Sequence, residues 1–73
     1  MTRVPITLRG DDRVLAELYN LRGARVRIIW DGELPAGNHE LIVNDTDLAT
    51  GVYFIRVVAG IGAPQTAKMV VMK

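Results

Sequence analysis

Few side chains in this chain could do chemistry. Asp45 and Asp47 stand two residues apart with Asn44 beside them, a spacing at which side-chain oxygens can hold a weak Ca²⁺. No EF-hand frame and no third and fourth ligand follow, so capping of the loop's own backbone is the more economical role. Asp11-Asp12 is a further carboxylate pair and reads as turn material. His39 is the one histidine. A general base needs a nucleophile within hydrogen-bond reach, and no Ser or Cys stands at a recognisable spacing from it. Trp30, Tyr19 and Tyr53 are material for a sugar-stacking platform. Trp30 alternates with Val26 and Ile28, however, and that face reads as core, so packing is its expected role.

Two short motifs invite sharper readings. Arg9-Gly10-Asp11 is the integrin tripeptide, in an expected hairpin turn that its turn-forming residues already explain. Leu34-Pro35-Ala36-Gly37 has the form of a Gram-positive sortase signal, but it lacks the Thr, lies mid-chain and has no apolar tail.

Composition sets the bounds within which any function must fit. Seventy-three residues allow one small domain, residues 1–73. A core of this size rarely supplies more than about 3–5 kcal/mol, and with no cysteine there is no disulfide or zinc–thiolate site to assist it. A buried cleft of the usual roughly 300–1,000 Å³ would take much of that stability, so the chain is expected not to be an enzyme, and no cofactor is implied. Nine basic and eight acidic residues leave a net charge of +1, with the seven Arg scattered. That gives no clustered basic face for nucleic acid. Met1-Thr2-Arg3-Val4-Pro5 lacks the charged region and apolar run of a signal peptide. Uninterrupted apolar stretches reach four residues, far short of the ~20 a membrane helix needs, so no membrane insertion is expected. The chain is either complete and cytosolic or a domain of a longer exported protein.

The elements that must position these residues read as short strands. Val14, Ala16 and Leu18 recur at period two, with the mixed surface Leu15, Glu17 and Tyr19 opposite. Propensity alone leaves a helix over 12–21 open, through Leu, Ala and Glu. Val26, Ile28 and Trp30 alternate with Arg25 and Arg27, so strands over 13–20 and 24–30 should form a hairpin whose turn closes on a left-handed Gly23. Residues 31–37 read as a loop. His39, Leu41 and Val43 alternate in a further strand, which Asn44 to Asp47 breaks. Val52 to Ala59 is apolar on both faces, as in a central strand covered on both sides or nearly so. Gly60-Ile61-Gly62-Ala63-Pro64 turns the chain, and Gln65 to Met72 gives a last strand with Ala67, Met69 and Val71 on one face. At the front, Arg3 to Leu8 is a strand that Pro5 marks as an edge. Six or seven strands at this spacing predict an all-β fold, a small antiparallel immunoglobulin-like β-sandwich.

The most informative stretch is Leu48-Ala49-Thr50-Gly51-Val52-Tyr53. In immunoglobulin-like sandwiches a Tyr at the start of the penultimate strand turns inward, and its hydroxyl bonds a backbone group a few residues upstream. Here Tyr53 would close that corner, Gly51 would permit the backbone turn and Leu48 would plug the core beneath.

Four blocks follow in order: Tyr19-Asn20-Leu21-x-Gly23-x-x-Val26; Asp31-Gly32-Glu33-Leu34-Pro35-Ala36-Gly37-Asn38-His39; Gly51-Val52-Tyr53-Phe54-x-Arg56-Val57; and Lys68-Met69-Val70-Val71-Met72-Lys73. Over nearly its whole length the chain resembles the C-terminal sorting domains of the type IX (Por) secretion system of Bacteroidota. The start departs from that pattern: the family's Asn-Pro-rich approach is represented only by Thr2-Arg3-Val4-Pro5. The immunoglobulin-like domain of flagellar hook-capping proteins shares some blocks, but the short stretch from Asn44 to Thr50 and the terminal Lys favour the sorting domain.

The resemblance implies a secretion signal that directs an attached cargo through the periplasm and across the outer membrane to the cell surface or medium. Its partners would be the translocon, its shuttle proteins and a sortase-like peptidase. By resemblance, the recognised residues are Gly51 and Tyr53 at the corner, Lys68, Val70 and Lys73 in the terminal strand, and Pro35 and Gly37 in the middle block. Lys68 and Lys73 would both guard an open edge against aggregation and anchor a receptor, or would serve only as gatekeepers. The alternative is a fibronectin III-like spacer or a carbohydrate-binding module of an extracellular enzyme.

Overall fold

The computed structural model describes residues 2–62 and 64–73. Among them are six strands: β1 (Thr2–Leu8), β2 (Asp12–Asn20), β3 (Arg25–Leu34), β4 (Gly37–Val43), β5 (Gly51–Ala59) and β6 (Gln65–Val71). Met1, at the expected start, and Ala63, in the expected 60–64 turn, lie outside the described residues. β1 and β4 form a two-stranded antiparallel sheet, and the other four lie in the order β3-β2-β5-β6 with every pairing antiparallel. The two sheets make a small immunoglobulin-like β-sandwich, and no described helix is long and apolar enough to cross a membrane.

Period-two patterning places the core. Val14, Ala16 and Leu18 on β2 are fully buried, and the register sets Ala16 beside Val57 and Leu18 beside Ile55 on β5. Met69 and Val71 of β6 extend that face, Ile6, Leu8, Leu41 and Val43 oppose it from the other sheet, and Leu48 closes one end. The β2–β3 hairpin forms as expected. Gly23 takes φ 84°, its amide donates to the Asn20 carbonyl at 3.0 Å, and the Asn20 side-chain oxygen accepts from the amides of Arg22 and Ala24.

The structure corrects four expectations. Residues 31–34 and Gly37 are not loop, because β3 runs on to Leu34 and β4 begins at Gly37. Val26, Ile28 and Trp30 are not the core face, being 37%, 46% and 38% exposed. The pairing of β2 with β3 shifts register twice, between Ala16 and Glu17 and between Leu18 and Tyr19. The extra residue at the first bulge sets Ile28 opposite Glu17 on the outer side while Ile29 packs on the core. Trp30 stands opposite Ala16 yet stays exposed on the edge strand. Arg9-Gly10-Asp11 is not a hairpin turn but the link between the two sheets. There the Asp11 carboxylate accepts from the Ala36 amide at 2.8 Å. Finally, β5 is covered on one face only. Tyr53, Ile55 and Val57 are buried, while Val52, Phe54 and Val58 stay half-buried on the sheet's outer side.

Candidate functional site

The corner before β5 is built as expected from its residues. The Tyr53 hydroxyl donates to the Ala49 carbonyl at 2.8 Å, with the ring 9% exposed and Leu48 5% exposed beneath it. Leu48 is held in place by its amide, which donates to the Asp45 carbonyl. Gly51 departs from its expected role. Its φ is not positive, and a Cβ there would meet only the Tyr53 ring at 3.8 Å, so the corner does not need glycine for its backbone.

The loop from Asn44 to Thr50 is fastened through its own side chains, from β3 and from the C-terminal side, and Thr2 Oγ1 of β1 donates to the Asp45 carboxylate at 3.5 Å. The Asn44 side-chain oxygen accepts from the Thr46 amide, as expected of a residue that caps its own loop. Arg27 of β3 reaches across with Nη2 to both Asp47 carboxylate oxygens, at 3.0 and 2.8 Å. The Arg27 hydrogen bond holds the Asp47 carboxyl below its ordinary 3.8. From the C-terminal side, the Lys73 amide donates to Thr50 Oγ1 at 3.1 Å and its ammonium donates to the Thr46 carbonyl. Among the described residues no group of three or more His, Cys, Asp or Glu is placed to hold a metal. Asp47 instead serves the fold through Arg27.

The residues singled out by resemblance divide between two ends of the sandwich. Gly51 pairs with Val71 and Val52 with Val70, so the corner, Val70 and Lys73 gather at one end. Lys68 stands one row further along, opposite Phe54, exposed on the outer face. Pro35 lies in the β3–β4 connection and Gly37 opens β4 opposite Leu8, close to Leu34, which pairs with Asp12 at the other end of β2. Tyr53 pairs with Asn20, eight residues along the same strand, which sets the two groups roughly 25 Å apart at strand spacing. Gly37 does need to be glycine, with φ 122°, and the Pro35 carbonyl lies 2.6 Å from His39 Nε2. His39 therefore has a structural partner.

Sequence reasoning missed a row on the outer face. Arg25, Tyr19, Phe54 and Lys68 occupy matched positions on β3, β2, β5 and β6. In the next row Glu17 is 6% exposed, takes the Arg25 guanidinium at 3.1 Å and faces Arg56 in register. Period two assigned Tyr19 and Glu17 to one face, but no pattern within a strand could set the strands side by side. No family model, curated protein or solved structure matches this chain.

Proposed function

We propose that the chain is a C-terminal sorting domain of the type IX kind, a folded signal that secretion machinery reads on an attached cargo. One observation carries this reading: the last strand forms a sheet edge, and its end is tied to the Tyr53 corner. β6 is outermost in its sheet, and Lys73 binds back to Thr46 and Thr50. Of the residues that the resemblance assigns to the corner and the terminal strand, Gly51, Tyr53, Val70 and Lys73 thus share one end of the molecule, and Lys68 sits midway along β6. An edge strand offers backbone donors and acceptors to a receptor. A chain this small needs no internal cleft to act in this way. The test is fusion of residues 1–73 to a periplasmic reporter in a host with that secretion system. The reporter should reach the cell surface or medium; retention in the periplasm, while an established sorting domain exports the same reporter, overturns the reading.

A binding module of an extracellular enzyme is the second reading, favoured by the exposure of Trp30. Its ring lies over Gly32, where a Cβ would stand 3.7 Å away, and its Nε1 donates to the Gly32 carbonyl at 3.2 Å. Binding to a soluble polysaccharide that Trp30→Ala abolishes without unfolding would favour this alternative.

A further inference from the structure

The strands at the margins of the sandwich differ in how far they are protected. β3 pairs with β2 through two register shifts, and bulges twist an edge away from regular pairing. β1 carries Pro5, which has no N–H to offer an incoming strand. β4 has no register shift and no proline, but it runs beside β3. β6 has neither device either. Its register against β5 runs unbroken from Gly51↔Val71 to Val57↔Gln65, and it contains no proline. Among the described residues, no backbone bond outside the sheets engages it. Its far side presents a regular row of amides and carbonyls.

Beside that edge the sandwich is open. Gln65 and Ala67 share the inner side of β6 with Met69 and Val71, yet only the latter two are buried. The seam between β1 and β6 is a recess of about 120 Å³ lined by Val4, Ile6, Ile55 and Ala67. A wider recess of about 590 Å³ shares Ile6, Val57 and Gln65 with it and reaches Leu8, Ala59, Arg9, Asp11 and Asp12. On the outer side of the same edge lie Lys68 and, opposite Thr66, Arg56. Neither forms an ion pair among the described residues.

We infer that β6 takes up an extended segment of a partner protein as an added strand. The segment seats apolar side chains at alternate positions in the β1–β6 seam and turns carboxylates at the intervening positions toward Lys68 and Arg56. This deepens the sorting reading by naming what the terminal strand binds, and it rests on that strand being the recognised element. A second copy fits the edge poorly. Lys68 is the midpoint of Gln65–Val71, so full antiparallel pairing of two β6 strands sets Lys68 against Lys68, and like charges directly opposite are destabilising.

The probe is the capped heptapeptide Val-Glu-Val-Glu-Val-Glu-Val, titrated into ¹⁵N-labelled chain and followed by amide shifts and hydrogen exchange. Binding should shift the 65–71 amides and slow their exchange. A Lys-for-Glu peptide should bind about tenfold more weakly, since like charges across an interface are penalised, and a peptide N-methylated along its pairing edge should not bind. Lys68→Glu, with its fold checked by circular dichroism, should remove most of the preference between the two peptides. Absence of binding, shifts confined to other strands, or a charge preference that Lys68→Glu leaves unchanged would overturn the inference. So would a dimer in sedimentation with its β6 amides already protected, which would assign the edge to a second copy. Export of the reporter without peptide binding overturns this inference alone; peptide binding without export overturns only the sorting reading.

Discussion

Arg27 and Asp47, twenty residues apart, meet through a guanidinium nitrogen that lies 3.0 and 2.8 Å from the two carboxylate oxygens. The pair fastens the edge strand β3 to the loop that leads into β5, and a second Arg27 nitrogen reaches the Asn44 carbonyl at 3.3 Å. It also gives the fold an acid-sensitive contact.

Asp47 has its carboxyl held below 3.8 by the Arg27 hydrogen bond, partly opposed by desolvation. A group whose pKa is depressed on folding contributes stability that is complete above its unfolded value and is lost as pH falls through its folded value. Stability measured by urea unfolding should therefore decline below about pH 4 in the native chain. In Asp47→Asn that component of the decline should be missing, and the two curves should converge in acid.

Tyr53→Phe keeps the buried ring and removes the bond to the Ala49 carbonyl. The loss should be about 1 kcal/mol, the usual net worth of such a bond, read as a lower urea midpoint with an unchanged slope. Tyr53→Ala also removes the ring and should cost roughly 3–5 kcal/mol, enough to unfold a chain of this size.

Gly51 and Gly37 separate backbone need from recognition. Gly51→Ala should fold with nearly native stability, because its φ is not positive and its Cβ would make an ordinary contact with Tyr53. Gly37→Ala forces a side chain into φ 122° and should cost at least about 1 kcal/mol. Thermal melts distinguish the two. If Gly51→Ala then blocks export while remaining folded, the defect belongs to recognition.

Glu17 is nearly buried and its partner Arg25 is not, so the two ends of the ion pair should respond unequally. Arg25→Ala leaves a buried carboxylate without its donor and should cost about 1–3 kcal/mol. Glu17→Leu removes the charge and fills the space beside Leu15 and Tyr19, and should be close to neutral. Denaturant unfolding of both variants gives the comparison.

Several of these contacts were legible in advance. Leu48, Tyr53 and the interval between them state the corner, because an inward Tyr at the start of a strand reaches only backbone a few residues upstream. Asn20 and Gly23 state the hairpin turn, since a short amide side chain and a left-handed glycine are local requirements. The Arg27–Asp47 tie was not legible, because nothing local selects which of seven Arg meets which carboxylate.

Sequence by itself determined the all-β class, the inner faces of β2 and β4, the hairpin and the corner. Each rests on period-two patterning or on turn chemistry within a few residues. Only the tertiary structure decided that Ile29 rather than Ile28 packs on the core, since the bulges in β3 arise from its pairing with β2. It also decided that Arg9 to Asp11 crosses between sheets, that Phe54 is left without a covering layer, and that β6 is an edge with neither bulge nor proline. The physical reason is common to all three. A strand's own residues set which side chains share a face, whereas neighbours, register and cover come from segments distant in the chain.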